Sequence, residues 1–124
     1  MYTGRALDTI PPNGLVPGYV DVRDVADFVV FAVDHPEKTD GERYIASSAC
    51  GPPQAMADIL RKALPDRAAV IDKGTPGDGY TPGYGFPESG QSYDGSKLVR
   101  TTGHEYIPFE KTVLDTVESF KNIV

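Results

Sequence analysis

The sequence has no tryptophan, a single cysteine (Cys50), two histidines and two methionines among its 124 residues. A lone cysteine cannot close an internal disulfide, which excludes a disulfide framework and makes a reducing, cytoplasmic compartment the simplest expectation. His35 and His104 are not accompanied by a Cys or carboxylate cluster at ligand spacing, so no metal site is expected. There is no block of Lys or Arg: 12 basic residues face 18 acidic ones, giving a formal charge of -6 spread along the chain. Such a surface repels phosphate backbones, and nucleic acid is not an expected partner. The longest apolar run, Phe28 to Val33, is far short of a bilayer span, and MYTGRALD has neither a cationic start nor an apolar h-region. Neither a membrane nor an export route is expected.

Several catalytic signatures are missing as well. No G-x-S-x-G elbow occurs, which removes the usual signal for a serine hydrolase. Gly74 and Gly79 have the outer spacing of a phosphate loop, but Tyr80 stands where its lysine is required. Gly83-Tyr84-Gly85 begins like a dinucleotide fingerprint, yet Glu88 occupies the third glycine position and no helix pattern follows. Tyr93 and Lys97 have the spacing of a reductase Tyr-x-x-x-Lys pair, in which both side chains stand one turn apart on a rigid helix. Asp94-Gly95 between them reads as a turn, and a cap or surface turn is the expected role of this stretch.

What is present is the composition of a globular chain, 40% hydrophobic and 24% charged, long enough for one domain that buries about 65% of its extended surface. Residues 1–19 are rich in Gly and Pro and read as an irregular lead-in. Residues 20–72 read as helix, strand, helix, strand. Asp21 or Asp24 caps a first helix that is apolar around most of its girth and therefore calls for neighbours on more than one side. Tyr44-Ile45 suggests a short strand. Pro52-Pro53 opens a second helix with the stripe Met56, Ile59, Leu60, Ala63 and Leu64, ended by Pro65. Ala68 to Ile71 is a second candidate strand.

Residues 73–95 hold seven glycines and three prolines. A loop of this length inside a compact domain is unusual unless it lines a site or lies against a partner. Its aromatics, Tyr80, Tyr84, Phe86 and Tyr93, suit either role. Residues 96–124 read as C-terminal helices: one or two turns from Ser96 closed by Gly103, then a helix starting at Pro108 whose Phe109, Val113, Val117, Phe120 and Val124 form one stripe. The cluster Asp21, Arg23, Asp24 and Asp27 is read as capping plus intramolecular pairing. The alternative has Arg23 meeting a substrate or partner carboxylate and Asp24 fixing the preceding loop.

The run YVDVRDVADFVVFAVDHPEKTDGERYIASS, continued by PPQAMADILRKALP, DGSKLVRTTG and PFEKTVLDTVESFK, resembles the extended short-chain dehydrogenase/reductase family. That family belongs to the NAD-dependent epimerase/dehydratase superfamily, and the likeness is to its fungal and plant branch of NADPH-dependent aldehyde, ketone and dihydroflavonol-type reductases. The resemblance covers nearly the whole chain, with the blocks in family order. Thr102-Gly103 departs from the family's Leu-Gly.

The resemblance implies an α/β fold class: the C-terminal, substrate-side part of an extended Rossmann-type reductase, with helices, a few short strands, a long Gly/Pro-rich loop and no complete nucleotide-binding sheet. It matches Ser96-Lys97 to a late segment of the family rather than to the catalytic Tyr and Lys. No catalytic or cofactor-binding residue is therefore assigned, and NADP(H) is expected to bind the complete enzyme but not this chain alone. Tyr19, Arg23, Tyr80, Tyr84 and Phe86 are the substrate-side candidates. The implied partner is an N-terminal Rossmann half. The alternative function is a non-catalytic chain that docks onto an intact reductase or self-associates through Val25, Phe28 and Val29. In either case exposed apolar surface points to marginal stability or aggregation of the free chain.

Overall fold

A computed structural model describes residues 18–49, 51–85 and 93–120. The described residues form α1 (Val22–Asp34), α2 (Pro36–Thr39), α3 (Pro53–Ala63), a 3₁₀ turn (Pro65–Arg67), α4 (Ser96–Thr102) and α5 (Phe109–Phe120). Each helix begins and ends for a local reason. Asp21 caps α1, its Oδ1 accepting from the Arg23 N–H at 2.9 Å, and α1 stops at His35 because Pro36 follows and opens α2. Pro53 occupies the first turn of α3, where its missing N–H is no loss. Gly103 closes α4 in the left-handed conformation with φ 73°, its N–H bonded to the Val99 carbonyl at 2.8 Å.

The expected short strands do not form. Among the described residues, β structure is limited to two isolated antiparallel bridges, Tyr19 with Ala49 and Thr81 with Gly85, so these residues are mostly helical and, as expected of a portion without a complete nucleotide-binding sheet, carry no β-sheet. The reason at Ala68–Ile71 is Arg61. Its guanidinium donates to the carbonyls of both Ala68 and Ile71, curling the segment around one cation in continuation of the 3₁₀ turn. Ile71 is buried and Val70 exposed, the alternation that resembled a strand, but no neighbouring backbone ladder is there to receive it. At Tyr44-Ile45 the extended backbone runs beside α4, and Lys97 Nζ takes the Arg43 carbonyl at 3.0 Å. Ile45 is left exposed.

The main core lies where α3 crosses α5. It consists of Ala55, Ala57, Ile59, Leu60, Ile71, Phe109 and Val113, with Tyr19, Met56, Tyr80, Tyr84, Leu114 and Val117 packed around it. Ala55 and Ala57, completely buried, let α3 sit deep because they add no side-chain bulk, whereas Ala63, expected in the stripe, is exposed. The stripe of α5 holds at Phe109 and Val113 and weakens to Phe120, which is exposed; Val124 lies outside the described residues. Fully burying a side chain of the size of Ile59 or Phe109 contributes about 2 kcal/mol.

A smaller contact joins α1 to α4 through Phe28 and Leu98, both buried. The Phe28 ring is met edge-on by His104 at 5.7 Å and Tyr106 at 5.4 Å. Tyr106 donates to the Gly95 carbonyl at 3.0 Å. A Cβ at position 95 would fall 2.6 Å from that hydroxyl and overlap the Ser47 carbonyl, so glycine is required there for close backbone approach.

Two carboxylates join these parts. Asp24, with no accessible surface, accepts from His104 Nε2 at 3.1 Å and from the Ile107 N–H at 3.0 Å. Asp21 Oδ2 accepts from Arg23 Nη2 at 2.7 Å and from the Thr112 hydroxyl at 2.9 Å, while Arg23 Nη1 reaches Asp115 Oδ2 at 2.8 Å. Among the described residues the cluster acts as cap and intramolecular pairing, and Asp24 fixes the distant 104–107 segment; the loop before residue 18 lies outside the described residues. Replacing Asp24 by Ala removes the acceptor of two part-buried donors, the His104 ring and the Ile107 N–H, and should lower unfolding free energy by about 2 kcal/mol. Asp27→Ala should change it by less than about 1 kcal/mol; urea melts followed by circular dichroism compare the two.

The hydrogen bonds from the Arg23 side chain, reinforced by the Arg23 N–H and Thr112, hold the Asp21 carboxyl well below the usual carboxylate range. A depressed folded-state pKa contributes stability that is complete above the unfolded value of about 3.9 and disappears as pH falls through the folded value. The urea midpoint should therefore drop between about pH 5 and pH 2. Asp21→Asn should be less stable at neutral pH and show a shallower acid decline, measured as midpoint against pH.

Candidate functional site

The Gly/Pro-rich stretch is held in place by two side chains of α3. Gln54, buried, donates from Nε2 to the Lys73 carbonyl at 3.0 Å and to Asp58 Oδ1 at 2.9 Å, and its Oε1 accepts from the Thr75 N–H at 3.1 Å. Asp58 Oδ2 accepts from the Gly77 N–H at 2.8 Å and from the Tyr80 hydroxyl at 2.7 Å. Gly77, Gly79 and Gly83 turn the backbone at φ 80°, 74° and 83°. The chain then doubles back in a tight turn, Thr81 N–H to the Gly85 carbonyl at 2.8 Å, with Tyr84 itself left-handed at φ 64°. For a residue with a Cβ, that conformation is uncommon and mildly strained.

This arrangement brings three of the sequence candidates into one row. The Tyr80 and Tyr84 rings lie 5.8 Å apart, Tyr84 lies 6.1 Å from Phe109, and Phe109 lies 4.8 Å from Tyr19. Tyr19 is held by backbone bonds on both sides of its bridge, N–H to the Ala49 carbonyl at 2.8 Å and carbonyl to the Ser48 N–H at 2.9 Å. Phe109, which joins the row, reads in the sequence only as a core position of α5. Arg23 is not part of the row; it is bonded to Asp21 and Asp115, the latter on the same helix as Phe109. Phe86 lies outside the described residues.

The phenols of the row are firmly protonated. The hydrogen bond to Asp58, then burial, push Tyr80 up to about 12. Burial, followed by the nearby Glu110 carboxylate, raises Tyr84, and burial raises Tyr19. Burial tends to raise Asp58, but its bonds from Gly77, Tyr80 and Gln54 outweigh that and leave it lowered. At neutral pH the row presents ring faces, with the Tyr80 hydroxyl already committed to Asp58.

Tyr93 and Lys97 do not form a reductase pair. Tyr93 precedes α4 and is half exposed, while Asp94 Oδ1 accepts from the Ser96 N–H at 2.9 Å. Lys97 Nζ is bonded to Glu42 Oε2 at 2.5 Å and lies 4.6 Å above the Tyr44 ring. In the 73–85 segment the glycines serve turns pinned to α3, and the next described helix, α4, begins at Ser96 with seven residues. Among the described residues no group of three His, Cys, Asp or Glu side chains is placed to hold a metal, and no helix is long and apolar enough to cross a membrane.

Sequence reading missed Gln54 and Asp58 as the loop's anchors. Their i, i+4 spacing at the start of a helix whose neighbours are apolar was the available signal. It also missed the reach of Asp24 to His104 and Ile107, a contact across some eighty residues of chain that no local pattern encodes.

No family model matches the chain. Over 116 residues, 90% of its length, it is 35% identical to the NADPH-dependent methylglyoxal reductase GRE2 of Saccharomyces cerevisiae, of which it covers 32%. It is 25% identical over 105 residues to the putative NADPH-dependent methylglyoxal reductase GRP2 of Candida albicans, covering 29% of that protein. The crystal structure of yeast methylglyoxal/isovaleraldehyde reductase Gre2 complexed with NADPH superposes with a TM-score of 0.76 at 31% identity, over 94% of this chain and 36% of the yeast chain. The chain is thus similar in sequence and in fold to about a third of these NADPH-dependent reductases.

In a tyrosine titration followed by absorbance, one residue should ionise near pH 12. Asp58→Asn, which removes the charge that Tyr80 faces, should return that residue toward the ordinary tyrosine value of about 10. An unchanged titration curve would dissociate Tyr80 from Asp58.

Proposed function

We propose that this chain is the substrate-side portion of an NADPH-dependent reductase that converts aldehydes or ketones to alcohols, of the extended short-chain dehydrogenase/reductase type and cytoplasmic. The observation that carries the reading is the superposition of 94% of the chain onto 36% of a reductase solved with NADPH. In this reading, hydride and proton donor come from the part of the enzyme outside the matched third, where NADPH would supply hydride to a carbonyl carbon. The chain's own residues bind and orient. Tyr19, Tyr84 and Tyr80, backed by the buried Phe109, form an aromatic wall against which the hydrocarbon part of a small carbonyl compound lies and from which water is excluded. Arg23, already paired twice within the chain, positions α1 against α5 rather than holding substrate.

The second reading, a non-catalytic chain docking onto a reductase, draws on one observation: the outward valines of α1 are uncovered.

The test is a chimera in which this chain replaces the matched third of the yeast reductase. The isolated chain should show no saturable NADPH binding by fluorescence titration, and the chimera should bind NADPH and reduce methylglyoxal. In the chimera, Tyr84→Ala should raise KM about tenfold, equivalent to about 1.4 kcal/mol, with kcat changed less than about threefold. Saturable NADPH binding by the isolated chain, or a folded chimera that binds NADPH without reducing methylglyoxal, would sink the proposal.

A further inference from the structure

The hydrogen bonds that run from α3 into the 73–85 segment have one direction. Gln54 Oε1 accepts from the Thr75 N–H, which turns its Nε2 toward two acceptors, the Lys73 carbonyl and Asp58 Oδ1. Asp58 Oδ2 then accepts from the Gly77 N–H and the Tyr80 hydroxyl. A flipped Gln54 amide would set N–H against the Thr75 N–H and oxygen against the Lys73 carbonyl, so its orientation is fixed. Both ends of the Asp58 carboxyl must therefore accept. Asparagine at 58 has one accepting end, and whichever way it turned, its N–H would face another N–H.

This chain of bonds is rooted in the core, since Gln54 is only 4% exposed, and it ends on an aromatic ring. With its hydroxyl tied to Asp58 at 2.7 Å, Tyr80 is held at both its backbone and its tip, and its ring lies 5.8 Å from that of Tyr84 at an interplanar angle of 34°. Tyr84 in turn keeps a left-handed φ of 64°, which a residue with a Cβ holds only where its surroundings over-determine it. Those surroundings are the tight turn from Thr81 to Gly85, where a Cβ at 85 would fall 2.8 Å from Thr81 Oγ1, Phe109 on one side of the ring and Tyr80 on the other. Asp58 thus acts on Tyr84 at one remove.

We infer that Asp58 is a positioning residue for substrate: through the Tyr80 hydroxyl and the Gly77 N–H it sets where the Tyr84 ring stands against the hydrocarbon part of the carbonyl compound, and Gln54 orients Asp58 for that task. The inference rests on the function proposed above and adds the residue that tunes affinity from behind the aromatic wall. A displaced wall costs a substrate in proportion to the apolar surface laid on it. Isovaleraldehyde, with a branched hydrocarbon chain, therefore depends on Asp58 more than methylglyoxal, which has one methyl group to offer.

The test is kinetic, in the chimera with the yeast methylglyoxal/isovaleraldehyde reductase. Asp58→Leu, which removes the acceptor, and Tyr80→Phe, which removes the donor and keeps the ring, should each raise KM about tenfold for isovaleraldehyde and about threefold for methylglyoxal. Asp58→Asn should fall between Asp58→Leu and the parent. In all three, kcat and the Kd for NADPH should stay within about twofold. Since the two groups act through one bond, the Asp58→Leu/Tyr80→Phe double variant should be no worse than Asp58→Leu alone, where independent effects would multiply to about a hundredfold. Asp66→Asn, on the exposed 3₁₀ turn, is the control and should change none of these values.

Unchanged KM values in these variants, in a chimera where Tyr84→Ala does raise KM, overturn the positioning role and leave the proposed function standing. A rise equal for both aldehydes, a parallel loss of kcat or NADPH affinity, or multiplicative effects in the double variant also overturn it, because Asp58 would then support the fold at large. If the Asp58 variants fail to fold, Tyr80→Phe decides by the same criteria. A chimera in which Tyr84→Ala leaves KM unchanged for both aldehydes, or which binds NADPH without reducing either, overturns the wall itself and the positioning role with it.

Discussion

A carboxylate removed from water must be compensated nearly in full, and in this chain that requirement is met at Asp24. The penalty for an unpaired buried ion is several kcal/mol, so wherever Asp24 goes its two donors, the His104 ring and the Ile107 N–H, must go too. The link decides the path of the chain between α4 and α5. It draws residues 104–107 onto α1, which sets His104 and Tyr106 edge-on to Phe28 and sends α5 back toward α3. Asp21, one turn earlier, bonds to Thr112 and fixes how far along α5 the junction falls. The α3–α5 core supplies the apolar stabilisation, but a hydrophobic contact is non-directional; the two aspartates give it an orientation.

The helices were legible because their signals are local. Asp21, Pro53, Gly103 and Pro108 each mark an end through the geometry of a single residue, and the stripe from Phe109 to Val113 needs only the helical period. Strands were not legible for the opposite reason. Tyr44-Ile45 and Ala68–Ile71 have strand-like side chains, yet a strand exists only if another backbone offers a ladder, and the Arg61 guanidinium takes up the carbonyls of the second segment. The depth of Ala55 and Ala57 escaped notice for a related reason: alanine has so little side chain that its burial depends on what crosses above it.

At the candidate site, residue types were readable and their grouping was not. Tyr19, Tyr80 and Tyr84 stood out as aromatics beside glycine and proline, but what brings them into line is Phe109 and the pair Gln54 and Asp58, which had no motif to announce them. The family resemblance implies the C-terminal, substrate-side portion of a reductase; what the described residues present is a row of protonated phenols and ring faces held by α3. Arg23, the one charged candidate, lies outside this row, paired with Asp21 and Asp115 where α1 meets α5.

Tyr84 carries one more implication. Its left-handed backbone is tolerated easily by glycine and grudgingly by tyrosine, while its ring bridges Tyr80 and Phe109. Glycine at this position would relieve the backbone and forfeit the ring that packs against the α3–α5 core. Backbone strain and ring packing pull this residue in opposite directions.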